Sequence, residues 1–306
     1  MDFVDQHQFS PNYTFMFQFE KKFQHSYTKE WMQRYWHTSF YAVAIYMMVI
    51  FGGQAYMSNR PAFKLRRLLT LWNTSLALFS IIGTLRTLPE LLHVLGRFGF
   101  YHSVCHPSFI EVVKPSGFWT WMFTLSKVPE LGDTVFIVLR KQNLIFLHWY
   151  HHITVLLFTW FTYSEYTAPA RWFVDMNYLV HSLMYSYYAL RSLGFRIPKQ
   201  MAMAITTSQI VQMIIGAYVT WYAYHRKSKG DACNITQATA TLGLIMYLSY
   251  FALFAQFFYS SYFSPSGKKA LRSTTAAQAT GAVSNGAQTK RKTKDAVAAG
   301  KETKVE

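Results

Sequence analysis

Three histidines in the run His148-Trp149-Tyr150-His151-His152 open a stretch without charge that extends from Leu144 to Tyr163. Imidazole can exchange protons, accept an acyl group or bind a metal near neutral pH. Spacings of three and four place the three rings on one face of a helix. The stretch is long enough to cross a bilayer, and polar groups at membrane depth are costly unless they face a protein interior or a cavity. This pattern favours an enzyme over a receptor or a structural membrane protein.

Three further stretches carry polar groups at helical spacing. Lys127, Glu130, Asp133 and Thr134 follow one another at intervals of three, three and one, Asn177, His181, Tyr185 and Tyr188 at four, four and three, and Thr206, Gln209 and Gln212 at three. Each set is expected on one face of its helix. Counting about 1.5 Å per residue inward from Arg140, Asn143, Arg191 and Lys199 puts Asp133, His151, His181 and Gln209 at a common depth of roughly 10 to 15 Å. Four polar faces at one depth predict one pocket, open to the side on which those charges lie. Blander readings stand beside this one: Thr206, Gln209 and Gln212 as hydrogen bonds between membrane helices, and Lys127 with Glu130 as a buried pair that fixes packing. The histidines resist such a reading. His93, His102, His106 and His225 fall at the other side and are read as surface residues.

The elements that must position these groups are helices. The 306 residues are 51% apolar, and only 14% are charged, against about 25% in soluble domains. Apolar blocks recur at 39–57, 68–85, 118–139, 144–163, 172–190, 201–224 and 239–263, each close to the 17 to 25 residues or so that a spanning helix needs. The predicted fold is an all-α, polytopic bundle of about seven transmembrane helices. A polar and aromatic segment, 1–35, with an interfacial helix around 29–36, precedes the membrane domain, 36–263, and a tail, 264–306, follows. Alanine, threonine, glycine and lysine dominate that tail, the composition of a disordered segment.

Charge sets the orientation. Arg60, Lys64, Arg66 and Arg67, then Arg140 and Lys141, then Arg191, Arg196 and Lys199 occupy alternate short connections, which places those loops and the tail in the cytosol and the N-terminus in the lumen. The cluster Arg226, Lys227 and Lys229 counts against this. Both cysteines, Cys105 and Cys233, then fall in lumenal loops and are expected to pair. The sequons at Asn12 and Asn234 fall on the same side as glycosylation sites, whereas the one at Asn73 lies inside a span and should be unused. The formal charge of +16, of which the tail's nine basic and three acidic residues supply +6, is read as attraction to membrane lipid. No nucleic-acid motif accompanies it.

Metal and acid–base chemistry compete for the histidines. A di-iron centre of the membrane oxygenase type would need about eight histidines, and only four share a compartment here. The expected site therefore holds no metal. With both cysteines across the membrane from the pocket, histidine is the best remaining nucleophile for a covalently carried acyl group. A seven-span receptor accounts for the span count but not for the polar faces. A transporter accounts for polar groups at depth, but neither broken helices nor repeated halves are evident.

The same residues resemble a known family. Lys127-Val-Pro-Glu130-Leu-Gly-Asp133-Thr134 is similar to its KxxExxDT signature, His148 to His152 to its HxxHH box, His181-Ser-Leu-Met184-Tyr185-Ser-Tyr187-Tyr188 to HxxMYxYY, and Thr206-Thr-Ser-Gln209-Ile-Val-Gln212 to TxxQxxQ. These are signatures of the ELO family of very-long-chain fatty-acid elongases, and the similarity covers about 30–262. The resemblance implies a 3-oxoacyl-CoA synthase of the endoplasmic reticulum membrane that condenses acyl-CoA with malonyl-CoA and needs no bound cofactor. Its partners would be the 3-oxoacyl-CoA reductase, 3-hydroxyacyl-CoA dehydratase and enoyl-CoA reductase of the elongation cycle, since no GxGxxG follows a strand here. The stretch from Leu139 through the histidine box looks most like the branch that extends saturated and monounsaturated chains such as palmitoyl-CoA.

Under that implication His151 is the first candidate for the acyl carrier, with His148, His152 and His181 beside it and Glu130 and Asp133 orienting an imidazole. Lys127, Asn177, Tyr185, Gln209 and Gln212 would contact substrate, and Arg140, Lys141 and Lys199 would meet the CoA phosphates at the cytosolic mouth. The C-terminus departs from the dilysine retrieval pattern: Lys304 is in place, but its partner is Lys301.

Overall fold

The computed structural model describes residues 6–264, and among these every regular element is helical. Eleven α-helices follow in order: α1 (Gln18–Lys21), α2 (His25–Tyr35), α3 (Ser39–Met57), α4 (Arg66–Cys105), α5 (Ser108–Glu111), α6 (Lys114–Ser126), α7 (Gly132–Leu139), α8 (Phe146–Glu165), α9 (Ala170–Leu193), α10 (Lys199–Ser228) and α11 (Gln237–Tyr262). One compact unit reaches Phe258. A second begins at Tyr259, and its described residues stack the rings of Tyr259 and Phe263. The tail expected from 264 onward lies, beyond residue 264, outside the described residues.

Four helical stretches are long and apolar enough to cross a membrane: His25–Met57, α4, α10 and α11. The other three apolar blocks behave differently for a physical reason. Block 118–139 is not one helix but two, α6 and α7, joined by a 3-10 turn at Pro129–Leu131. Pro129 lacks an amide hydrogen and crowds the preceding turn, so the α-helical ladder ends before it. α8 and α9 have the length, 20 and 24 residues, but their histidines and charged groups lower their hydropathy. The helix expected around 29–36 is α2, which runs through a 3-10 turn at Trp36–Thr38 into α3 as part of the stretch His25–Met57.

The helix ends gather in two sets. At one end Phe63 N–H donates to Leu139 O, Lys141 Nζ to the carbonyls of Ser58 and Arg60, and Arg66 Nε to Ser192 O. This joins the ends of α3, α7 and α9 to the start of α4. α9 stops at Gly194, whose φ of 104° is a left-handed backbone that suits glycine. At the other end Cys105 is disulfide-bonded to Cys233. Asn234 N–H donates to Cys105 O, Ala168 N–H to Asn234 O, and the Asn234 side-chain amide to Tyr166 O.

Buried charge reinforces this second end. Arg171 and Glu90, both fully buried, pair at 2.9 Å, and Arg171 also donates to the carbonyl of Ser103 and the hydroxyl of Ser108. Glu20, also fully buried, accepts from Arg86 and from the Trp119 indole. Between the two ends α4 and α9 lie closely side by side, because Gly83 leaves room for the Tyr178 ring. A Cβ at 83 would sit 2.4 Å from that ring.

Two outcomes follow. Cys105→Ser, which opens a 128-residue loop, lowers stability by about 2 to 5 kcal/mol, read as a lower thermal midpoint in detergent that matches the midpoint of the reduced wild type. Gly83→Ala costs about 1 to 3 kcal/mol because ring and helix must move apart, whereas Gly96→Ala, which meets nothing within 4 Å, leaves the midpoint in place.

Candidate active site

The helix break puts backbone polar groups and side chains in one place. α6 ends at Ser126, and its freed carbonyls find donors: the Trp160 indole bonds to Thr124 O at 3.0 Å, and Ser126 Oγ bonds to Phe123 O. Lys127 is therefore the C-cap of α6, Glu130 lies in the 3-10 turn, and Asp133 and Thr134 open α7. The expectation that all four share one regular helical face is corrected accordingly. The break turns their side chains toward different neighbours.

On one side Lys127 Nζ, 3% exposed, donates to both oxygens of Glu130 at 2.8 and 3.0 Å and to Asn177 Oδ1 at 3.3 Å. Ser126 Oγ also lies within hydrogen-bonding distance of Glu130, at 2.7 Å. Asn177 Nδ2 stands 3.2 Å from His181 Nε2, which connects this pair to the α9 histidine. On the other side Thr134, fully buried, lies between His148 Nε2 at 2.9 Å and the Tyr46 hydroxyl at 2.7 Å. Asp133 turns a third way and accepts from the Trp72 indole at 2.6 Å and the Tyr185 hydroxyl at 2.7 Å. The broken segment thus touches α3, α4, α8 and α9 through three side chains, Lys127, Asp133 and Thr134.

The three box histidines lie along α8 as their spacing predicts. His148 and His152 have ring centroids 4.6 Å apart, and His151 and His152 5.7 Å apart. All three, with His181, are partly buried rather than sealed. His151 faces α11, with Tyr250 at 5.0 Å and Phe254 at 6.2 Å between ring centroids. Tyr250 itself, 1% exposed, bonds to Thr154 at 2.5 Å.

The other expected site residues have definite partners and positions. Among the described residues neither Glu130 nor Asp133 bonds to an imidazole: Glu130 pairs with Lys127, and Asp133 ties α7 to α4 and α9. Tyr185 is buried and commits its hydroxyl to Asp133. Gln209 donates to Met184 Sδ at 3.4 Å, linking α10 to α9, and Gln212 is buried beside it on the same helix. Arg140 is partly buried, Lys141 holds the carbonyls that end α3, and Lys199 is exposed at the start of α10. Asn12 and Asn234 are both exposed, Asn73 is buried, and Asn234 uses its amide on Tyr166 O. His102 and His106, read from sequence as surface residues, are partly buried and stacked at 4.5 Å. A pocket of about 320 Å³, lined by Lys29, Gln33, Glu165, Lys227 and Asn234 among others, lies at the far end of α8 from His148. Among the described residues no three His, Cys, Asp or Glu side chains are grouped so as to hold a metal ion.

Trp72, Tyr46 and Tyr250 are absent from the sequence reading. They sit in blocks that read as uniformly apolar, and only their N–H and O–H groups distinguish them from other aromatic residues in a membrane helix.

Residues 31–270 match the model of the ELO, GNS1/SUR4, family, so the chain belongs to that family, the one its four signatures resemble. It is 56% identical to very long chain fatty acid elongase 6 of Drosophila melanogaster over 265 residues, 86% of this chain and 84% of that one. It is 47% identical to very long chain fatty acid elongase 6 of Homo sapiens over 262 residues, 86% of this chain and 96% of that one. Very long chain fatty acid elongase 3 of Mus musculus is 43% identical over 248 residues, 80% of this chain and 90% of that one. With its long apolar helices, the chain is a multi-pass membrane protein.

Removing one donor from Asp133 tests its packing role. Tyr185→Phe or Trp72→Phe should cost about 1 to 3 kcal/mol each, and the double variant should cost less than their sum, as expected for donors to the two oxygens of one carboxylate. Denaturation of the purified protein measures all three.

Proposed function

We propose that this elongase is the condensing enzyme of microsomal fatty-acid elongation, joining a long-chain acyl-CoA to malonyl-CoA with loss of carbon dioxide. The observation that carries the proposal is the convergence, on one broken helix, of His148 of the α8 box through Thr134 and the α9 histidine through Asn177 and Lys127. A packing role alone gives no reason to gather four imidazoles at that depth.

His151 is the acyl carrier in this reading. Its neutral ring nitrogen attacks the thioester carbonyl, the C–S bond breaks, and the ring's proton passes to the leaving thiolate as free CoA. Malonyl-CoA then loses carbon dioxide, and the electron pair of the broken C–C bond becomes an enolate. The enolate carbon attacks the acyl carbon, the C–N bond breaks, and the ring recovers a proton from solvent. One proton is consumed overall, and 3-oxoacyl-CoA, carbon dioxide and CoA are the products. His148, His152 and His181 supply donors where negative charge develops, each worth roughly 3 kcal/mol in comparable sites. Lys127 is neutralised by Glu130 and so acts through position, holding Asn177 beside His181.

Seven crossings of the endoplasmic reticulum membrane, with the N-terminus in the lumen, fit the alternation of basic loops and the two sets of helix ends. The CoA phosphates would then meet Arg140 and Lys199, with Lys141 partly occupied by carbonyls. The stretch from Leu139 through the histidine box supports saturated and monounsaturated acyl-CoAs as substrates, and the reductases and dehydratase that complete the cycle are the partners this reading implies. No step of the condensation calls for a metal or a bound cofactor.

Incubation with palmitoyl-CoA alone should add one acyl mass to the intact protein, and peptide mapping should place it on His151. His151→Ala should abolish the adduct and lower the condensation rate by on the order of 10³-fold or more. An unmodified wild type together with an active His151→Ala variant would overturn the covalent route.

A further inference from the structure

The chain of hydroxyls behind His148 has only one consistent direction. The Tyr46 hydroxyl lies 2.7 Å from Thr134 Oγ1, and Thr134 Oγ1 lies 2.9 Å from His148 Nε2. Tyr46 is 3% exposed and Thr134 is fully buried, so neither hydroxyl has water to turn to. Thr134 Oγ1 is the sole hydrogen-bond partner of the Tyr46 hydroxyl among the described residues.

Two arrangements are conceivable. If His148 Nε2 carried the proton, it would donate to Thr134, and whichever way the bond between Thr134 and Tyr46 ran, one of their two O–H groups would be left buried without an acceptor. An unmet buried donor lowers the population of its arrangement by roughly 5- to 150-fold. In the reverse direction Tyr46 donates to Thr134, Thr134 donates to Nε2, and every proton in the chain is used. Nε2 is then an acceptor, and the ring proton resides on Nδ1.

The geometry points to Tyr46, with Thr134, as a positioning residue that fixes His148 as the Nδ1–H tautomer and takes its Nε2 out of reactive use. This deepens the proposed condensation and rests on it for its catalytic meaning. A ring whose Nε2 already accepts a hydrogen bond is a poor acyl carrier, while its Nδ1–H is a fixed donor one helical turn from His151 and His152. The box divides by role on this basis: His148 donates to developing negative charge, and the nucleophile is one of the other two. α3, which holds no signature residue, then contributes to the site from behind.

The tautomer can be read without any reaction. In protein labelled with nitrogen-15 histidine and reconstituted in lipid, the His148 signals are assigned as those lost in His148→Gln. The expected wild-type signature is a protonated Nδ1 with an unprotonated Nε2. Tyr46→Phe and Thr134→Val should convert this to a mixture of tautomers, and Thr134→Ser, which keeps the hydroxyl, should retain it. Tyr46→Phe should also lower kcat about tenfold with KM for palmitoyl-CoA within about twofold, the split expected of a group that orients a ring rather than binds substrate. A wild-type His148 protonated on Nε2 overturns the inference, as does an unchanged signature in Thr134→Val. The two readings fail separately: a wild type that shows the Nδ1–H signature but forms no acyl adduct loses the covalent route and keeps the tautomer assignment, whereas an adduct on His151 beside an Nε2–H His148 does the reverse.

Discussion

The burial of Lys127 against Glu130 governs the rest of this site. A lysine 3% exposed in the middle of a membrane protein is tolerable only with a carboxylate and further acceptors in reach, and the 3-10 turn after Pro129 brings Glu130 to 2.8 Å. An unbroken helix would also put residues 127 and 130 on one face. The break adds the divergence of the next two residues, so that Asp133 meets α4 and α9 while Thr134 meets α3 and α8. One interruption of four or five residues thereby connects four helices at the depth of the histidine box.

Such a hub needs a rigid surround, and the two ends of the bundle supply it by different means. The end bearing Cys105 and Cys233 is closed by a covalent link and by two ion pairs in which at least one partner is fully buried. The end nearer the histidine box is held by side chains on exposed carbonyls, Lys141 on Ser58 and Arg60, and Arg66 on Ser192. Bonds of the second kind compete with water and open at low cost. The stiff end thus lies away from the histidine box, and the end that can yield lies beside it.

The polar faces were legible because periodicity survives in a membrane helix: His148, His151 and His152 form one stripe, and Asn177 and His181 bond to each other as four-residue spacing requires. The all-helical fold was legible for the same reason. The break was written at Pro129 but masked by the apolar run around it, and treating 118–139 as one span hid the way the signature diverges. Trp72 and Tyr46 were illegible because an indole or a phenol inside an apolar block scores as packing, and only the fold reveals that Asp133 and Thr134 lie within reach. Asp133 and Tyr185, to which the resemblance gave chemical and substrate roles, hydrogen-bond to each other.

Placement also accounts for the hydropathy of the helices. α8 and α9 together with the split α6 and α7 carry the histidines and charged groups of the site and fall short of the composition of ordinary spans, while α4, α10, α11 and the stretch through α3 meet it. A helix rich in histidine and asparagine is stable at membrane depth only where neighbouring helices satisfy those groups. The polarity needed for the site and the apolar surround needed to bury it are therefore two sides of one requirement. Tyr46 is where they meet: its ring packs in the apolar core with Ile50 and Leu156, and its hydroxyl is the first donor in the line that ends at His148. A phenylalanine there would preserve the core and lose the direction of the hydrogen bonds, so the identity of this residue is set by the site rather than by packing.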